Sequence, residues 1–388
     1  MGKDKIEIDV IASTKTQYEV PKENTLILGG QCAGICYLDS DRDIFNEEKE
    51  KTLKRVNLTL TNGHHSVFEH SSVTLHIKNL PKILSIILVS EKQYSASIKS
   101  GRYTKMNRVS DKEKKLYNKW LEKFDKRIEE VYPKIPERLR NKLSMENARY
   151  IISVFMLTQG VYTFNIRQLN YIINWFKGYI EKNKEKDNYF TKTLSEYMQQ
   201  FIDATSMYHI EYMVSGKNRG LSLFKKDYIS YNEYFGDTYS VNYKTSFVQL
   251  EQILRHRTIN YTLMDDISKE PKEFFIPPIF DKGSDLEKEW LEDLDSIKDL
   301  YPNATLFTIN ERGIVENFIM KCYERLCGAA QLETMLQTKH TLKKYIKNIN
   351  GRLKKELEKY LMSSCLYPDK ECKNPCIWGS KKGIDRRI

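Results

Sequence analysis

Residues 255–257 read Arg255-His256-Arg257 and follow an apolar run, so three cationic or hydrogen-bonding side chains gather where a helix ends. Guanidinium groups offer rigid donor forks that suit phosphates or a flavin ring. A solvated basic cluster complementing the helix C-terminal dipole fits the same letters, and composition alone favours it. Ser100-Gly101-Arg102-Tyr103 offers a hydroxyl, a backbone freed by glycine and a cation, enough to wrap one phosphate. By itself this four-residue pattern is more often an ordinary turn. Residues 63–70 place His64, His65, Ser66, Glu69 and His70 in one short stretch. A metal is the first chemistry to consider there. The spacing is not that of His-Glu-x-x-His and no cysteine lies nearby, so no metal site is expected.

The elements that must carry these residues follow from apolar periodicity. Residues 6–12 alternate apolar and polar letters and read as a strand, and 73–77 as another. Pro81 opens a short apolar helix, and a loop spans about 90–108. Leu116, Trp120, Phe124 and Ile128 at four-residue spacing predict a long amphipathic helix. Residues 161–164 are a strand candidate, followed by a buried helix over 167–180. The order then recurs: an apolar helix over 247–254 leading into a polar loop, a charged helix over 286–297, a short strand over 304–309 and an amphipathic helix over 311–327. The strand-to-helix joints match in letters, Tyr162-Thr-Phe-Asn165-Ile-Arg167 against Phe307-Thr-Ile-Asn310-Glu-Arg312. The expectation is an α+β chain built from two copies of one unit, 1–205 and 206–388.

Lysine and arginine total 63 against 52 acidic residues, a net charge of +11. Such a surface attracts anions, whether nucleic acid or small phosphorylated ligands, although much of the charge lies on helical faces such as 111–130. No apolar run approaches the ~20 residues of a membrane helix. The N-terminal letters lack an apolar signal core and a hydroxyl at position six, so a cytoplasmic location is expected. Seven cysteines, an odd number, argue against a secreted disulfide framework. Cys365, Cys372 and Cys376 could bind zinc with a partner such as Cys32 or Cys36. The Cys-x-x-Cys spacing is absent, however, and no metal is expected here either.

Taken in order, these blocks resemble the flavin-dependent thymidylate synthases. The segment 63–77 is similar to the family block that begins Gly-His and continues Phe-Glu-His, and Gln252-x-x-Arg255-His256-Arg257 to its Arg-His-Arg signature. Ser100-Gly101-Arg102-Tyr103 resembles the Ser-x-Arg-Tyr that the family places in the same loop as Arg-His-Arg. Glu146-Asn-Ala148-Arg149-Tyr150 and Arg325-Leu-Cys327-Gly-Ala-Ala330-Gln331-Leu-Glu333 resemble two later blocks. The resemblance covers most of 55–333, with gaps. The copies have diverged in complementary ways. The first has Ser90-Glu91-Lys92 where the second has Arg255-His256-Arg257, and Phe176 where the second has Arg325. The second has Asp265 and Ile267 where the first has Ser100 and Arg102.

The resemblance implies a mixed sheet packed with long helices, and transfer of a one-carbon unit from methylenetetrahydrofolate to C5 of dUMP. FAD would carry the hydride and NADPH would re-reduce it, giving dTMP. In that scheme Ser100, Gly101, Arg102 and Arg149 clamp the phosphate, Gln252 binds the nucleotide and Arg325 is the catalytic cation near the uracil carbonyl. Arg255, His256 and Arg257 hold the flavin, and His64, Ser66 and Glu69 line the same site. Asn310 and Arg312, or Asn165 and Arg167, reach the adenine dinucleotide. Family sites form between subunits of a homotetramer. The fused pair is therefore expected to form a homodimer that rebuilds a pseudo-tetramer, with the site between copies.

Two departures qualify the match. Ile98 stands where the family has an acidic residue, and about one helical turn of extra residues separates Asn310 from Arg325. A C5 hydroxymethylase or a UMP/dUMP methylase is therefore the near alternative. A non-catalytic nucleotide- or nucleic-acid-binding protein is the distant one, and nucleic acid is not expected as a partner.

Overall fold

The computed structural model describes residues 5–15, 21–37, 43–100, 109–214, 219–373, 376–379 and 383–388. In chain order the regular elements are β1 (Glu7–Ser13), α1 (Pro21–Tyr37), α2 (Lys49–Thr61), β2 (Ser72–Pro81), α3 (Lys82–Ser90), β3 (Tyr94–Ile98), α4 (Asp111–Val131), α5 (Glu137–Ala148), β4 (Leu157–Asn165), α6 (Ile166–Asn183) and α7 (Tyr189–Ala204). They continue as β5 (Tyr234–Phe235), β6 (Thr238–Ser246), α8 (Phe247–Ile253), β7 (Asn260–Leu263), α9 (Asp285–Asp295), β8 (Leu306–Ile314), α10 (Val315–Arg325), α11 (Leu332–Lys347) and α12 (Gly351–Glu358). No helix among the described residues is long and apolar enough to cross a membrane.

The chain divides into two compact units, 1–99 with 157–222 and 100–156 with 223–388. Their borders differ from the sequence split after 205, because α4 and α5 belong with the second unit. Each unit has a four-stranded sheet, in the order β1-β2-β4-β3 in the first and β5-β6-β8-β7 in the second. All named strand pairs are antiparallel. A parallel bridge, Phe224 to Leu263, adds a mixed element to the second unit. The two α+β units also agree in register. Ser72 faces Asn165 as Thr238 faces Ile314, and Ala96 faces Tyr162 as Tyr261 faces Glu311.

Local chemistry accounts for the elements. Every residue of α3 is buried, and Pro81 stands at its N-cap, where the missing N–H costs nothing. Ser110 and Glu113 form a reciprocal capping box that starts α4. The buried face of α4, Tyr117, Trp120, Phe124 and Ile128, meets Phe280 and Trp290 of the same unit. Trp120 and Trp290 pack edge to face with centroids 4.7 Å apart, and Phe124 stacks on Phe280 at 5.2 Å. The indole nitrogens donate to Asp293 and to the Phe275 carbonyl, each at 2.8 Å. This aromatic core holds α4 in the second unit.

Two expectations need correction. The segments read as loops after α3 and α8 contain β3 and β7, edge strands of five and four residues. Edge strands this short carry too few alternations to show a period. The helix expected over 311–327 starts instead at Val315, because β8 continues through Ile314. Glu311 is a buried strand residue. Its carboxylate accepts from Tyr239 at 2.8 Å, from Tyr243, and from the buried Lys321 of α10 at 2.7 Å. These partners require an extended backbone at 311. The matched letters Asn165-Ile-Arg167 and Asn310-Glu-Arg312 are therefore offset by four residues, and Asn165 corresponds to Ile314 by register.

This pairing predicts a stability effect. Lys321→Met should destabilise the chain by about 3–5 kcal/mol, because it strands the buried Glu311 carboxylate. The double variant Lys321→Met/Glu311→Met should recover most of that loss, as read from denaturant midpoints at constant slope.

Candidate functional site

Arg325 is the last residue of α10, and its side chain is mostly covered. Its Nε donates to His256 Nε2 at 2.7 Å, and an Nη donates to the Gln252 carbonyl at 3.1 Å. Both partners come from the end of α8 and the turn that follows it. The cap of α8 is local: Ser246 accepts the Gln249 amide. Because Arg325 can only donate, His256 Nε2 must be the accepting nitrogen, and the ring proton lies on Nδ1. That edge faces the Glu324 carboxylate at 3.7 Å. Burial, then the Arg325 and Lys321 cations, lowers the His256 pKa to about 2. The imidazole is thus neutral and serves as an acceptor for the arginine. Arg255 and Arg257 flank it on the exposed side of the turn.

A second cluster joins two of the sequence blocks. Glu333, at the start of α11, is fully buried and accepts from the Ser246 amide and hydroxyl at 2.9 and 2.6 Å and from the Tyr150 hydroxyl at 2.7 Å. Gln331 donates to the same Tyr150 oxygen at 2.9 Å. Burial pushes the Glu333 carboxyl up despite these donors and the nearby Arg149. Arg149 is 1% exposed, yet its Nε and one Nη have no hydrogen-bond partner among the described residues. A buried guanidinium with two unpaired nitrogens is suited to an anion.

The remaining residues singled out from sequence fall in several places. Gly101 and Arg102 lie outside the described residues, while Ser100, at the edge of the described chain, is half-buried. Asn310 is buried within β8 and donates to Ser240 and Asn242, both at 2.8 Å. Arg312, two residues along, lies over the Tyr231 ring at 4.9 Å. In the first unit His64 and Ser66 are exposed. Glu69 is bound by Arg167, and Arg167 also donates to the Tyr171 hydroxyl at 3.0 Å. Asn165 caps α6 by accepting the Gln168 amide at 2.7 Å. His65 completes this network. Its Nε2 donates to the Leu60 carbonyl at 3.2 Å, which leaves Nδ1 to accept from Tyr171 at 3.1 Å.

One consequence of the fold changes the expected layout. Arg149, Gln252, Arg255, His256, Arg257 and Arg325 all belong to the second compact unit. Side chains drawn from both halves of the sequence are therefore carried by one body. Sequence reading missed His65, Lys321 and the Tyr150–Glu333 bond as site features. Lys321 carried a signal, since it precedes Arg325 by four residues on the same helical face.

The His256 shift sets a direction for pH dependence. Its folded pKa is depressed, so its contribution is complete above the unfolded value near 6.5 and is lost as pH falls from there toward 2. His256→Gln should flatten the fall in stability between pH 7 and pH 5 relative to the parent chain. Parallel slopes for the two proteins in denaturant titrations across that range would remove His256 as the cause.

A family match reaches Arg149 and stops short of Gln252, His256 and Arg325. The family described as thymidylate synthase complementing protein matches residues 21–179. A flavin-dependent thymidylate synthase of Pseudothermotoga lettingae is 32% identical over 139 residues, covering 33% of this chain and 62% of its own length. One from Pyrococcus abyssi is 27% identical over 120 residues, 28% of this chain and 48% of its own. The chain thus spans between about half and three fifths of these two relatives. Among solved structures, the enzyme ThyX of Helicobacter pylori, complexed with FAD and dUMP, is 20% identical and aligns over 54% of this chain and all of its own with a TM-score of 0.32, too low to carry an argument. Residues 21–179 thus match the model of the thymidylate synthase complementing protein family, and part of the chain is similar to flavin-dependent thymidylate synthases.

Proposed function

We propose that this chain transfers a one-carbon unit to C5 of a pyrimidine nucleoside monophosphate, with dUMP as substrate and dTMP as product. The observation that carries this reading is the pair of arginines in the second unit. Arg149 is buried with two unpaired nitrogens, and Arg325 is held by a neutral histidine. The first suits a phosphate and the second a developing negative charge. Reduced FAD would supply the hydride, NADPH would renew it and methylenetetrahydrofolate would supply the carbon.

The chain's own residues have distinct tasks in this scheme. Arg149, with Ser100, Gly101 and Arg102, fixes the 5′-phosphate and so aligns the base. Gln252 contacts the nucleotide, while its backbone carbonyl steadies Arg325. His256 positions Arg325: as a neutral acceptor it fixes the guanidinium without cancelling its charge. That charge then lies ready beside the uracil carbonyl as C5 becomes nucleophilic. Arg255 and Arg257, exposed on the same turn, would meet the flavin. Arg312 over Tyr231 offers a cationic, aromatic contact for the dinucleotide, whereas Asn165 and Arg167 already serve a cap and an ion pair. We further propose that residues 1–205 and 206–388 arose as two copies of one unit, and that a cytoplasmic homodimer is the working form. A related reading, UMP or dUMP methylation or hydroxymethylation, rests on Ile98, which places an aliphatic side chain at the end of β3, next to Ser100.

Purified chain should be yellow, and its flavin bands should shift when dUMP is added. A chain that takes up no FAD would overturn the reading. Mass spectrometry of products from dUMP, UMP and dCMP then identifies the pyrimidine. Arg149→Ala should weaken nucleotide binding by about 10–100-fold with a smaller effect on turnover. Arg325→Ala should lower kcat by about 10²–10³-fold. Unchanged kinetics in both variants would remove these assignments.

A further inference from the structure

Tyr261 stands in β7 directly opposite Glu311 of β8, so the two side chains share one face of the sheet. That face is the one α10 covers, since Lys321 reaches Glu311 there. Tyr261 is 5% exposed, and its hydroxyl has no hydrogen-bond partner among the described residues. The neighbouring acid does not serve it, because Glu311 is bonded by Tyr239, Tyr243 and Lys321. The Lys321 ammonium lies over the Tyr261 ring, 5.5 Å from its centre. Phenylalanine would fill the same space and keep that contact. The oxygen therefore adds a desolvation cost and no bond within the chain, which calls for a role other than packing. In the first unit, where the buried charges are absent, the same register position is held by Ala96.

We propose that the Tyr261 hydroxyl is a second hydrogen-bond donor of the Arg325 corner, meeting the same uracil oxygen that the guanidinium faces. This rests on the reading of Arg325 as the cation beside the base. Three observations place the phenol there. Strand β7 starts at Asn260, three residues after Arg257, so Tyr261 is carried by the turn that holds His256. Lys321, over the Tyr261 ring, precedes Arg325 by about one helical turn on the same face of α10. The Arg325 charge also acts directly on the phenol. Burial, and then the Glu311 charge, push Tyr261 well above the ordinary tyrosine range, so it stays protonated and donates. Arg325 keeps 15% of its side chain exposed, so a ligand meets the guanidinium first, while the phenol oxygen is dry. A dry donor beside a reachable cation acts most strongly on charge that develops during reaction, and such bonds close only with the ligand in place. No proton is transferred: the phenol keeps its hydrogen as negative charge grows on the uracil oxygen.

The test removes one oxygen from the full chain. Tyr261→Phe keeps the ring over Lys321 and deletes only the hydroxyl. Its midpoint in denaturant should equal or exceed the parent's, because the lost group had no partner. Its kcat with dUMP should fall by about 10²-fold, while the Kd for dUMP stays near the parent's. A direct readout is the carbonyl stretch of bound dUMP, isotope-labelled at C2 and at C4 in turn. One of the two should lie lower in the parent and move to higher frequency in Tyr261→Phe. Either a parent-like kcat or unshifted stretches in the variant would overturn the inference. So would a loss of stability alongside the loss of turnover, since that assigns the hydroxyl to the fold. All three outcomes leave the proposed reaction standing. A parent chain that binds no dUMP would instead remove that reaction, and this assignment with it.

Discussion

A carboxylate removed from water must find partners, and Glu311 in β8 takes three of them from two elements. Tyr239 and Tyr243 lie on β6, either side of the residue directly opposite, and Lys321 comes from α10. These bonds therefore set the register of the sheet and the rotation of the helix together. With Lys321 turned toward Glu311, Arg325 falls one turn further on the same face and meets His256. The lysine also stands 5.5 Å from the ring of Tyr261, which faces Glu311 from β7. The electrostatics of the turn follow from this column. Burial first, and then the two cations beside it, hold the imidazole neutral, and a neutral imidazole is what Arg325 needs as an acceptor.

The first unit has the same frame without the column. By register, Val73 and Ile77 take the places of Tyr239 and Tyr243, and Tyr162 that of Glu311. Counting from the helix starts, Ile172 and Phe176 replace Lys321 and Arg325. All five are fully buried. Tyr162 keeps only a neutral bond to Ser85 at 2.8 Å, and Phe176 packs against Phe201. The substitution is coherent: the buried charges are present as a set in one unit and absent as a set in the other. A buried network with one member missing is worse than an apolar core, and neither unit holds such a partial set. At the position of His256 the first unit has Glu91, fully buried and bound by Arg219 and by the Ser222 amide and hydroxyl. That acid closes the corresponding corner with its own partners.

Much of this was legible in the letters. The apolar run of α3 and the spaced aromatics of α4 follow from periodicity. The blocks around Arg149 and Glu333 were legible as chemistry, and the structure joins them through Tyr150. Less legible was anything that depends on partners far along the chain. The stretch from Glu311 has the spacing of an amphipathic helix, and nothing local says that its acid is buried. The tyrosines that decide the matter lie about 70 residues earlier. The two edge strands were hidden by their shortness. The match of Asn165-Ile-Arg167 with Asn310-Glu-Arg312 misled because its letters agree where the registers do not.

Division by sequence and division by core need not coincide, and here the core decides. Helices α4 and α5 sit in the first half of the chain, but Trp120 and Phe124 complete their packing against Phe280 and Trp290. Large aromatic faces of this kind outweigh chain proximity, because burying them is worth more than the modest extra cost of closing a longer loop. Arg149 follows directly after α5 and is carried with it into the unit that holds His256 and Arg325. The cationic set is thereby gathered in one unit. In the first unit the His65–Tyr171–Arg167–Glu69 network is satisfied by its own members. It therefore stabilises the end of β4 and the start of α6 whether or not a ligand is present.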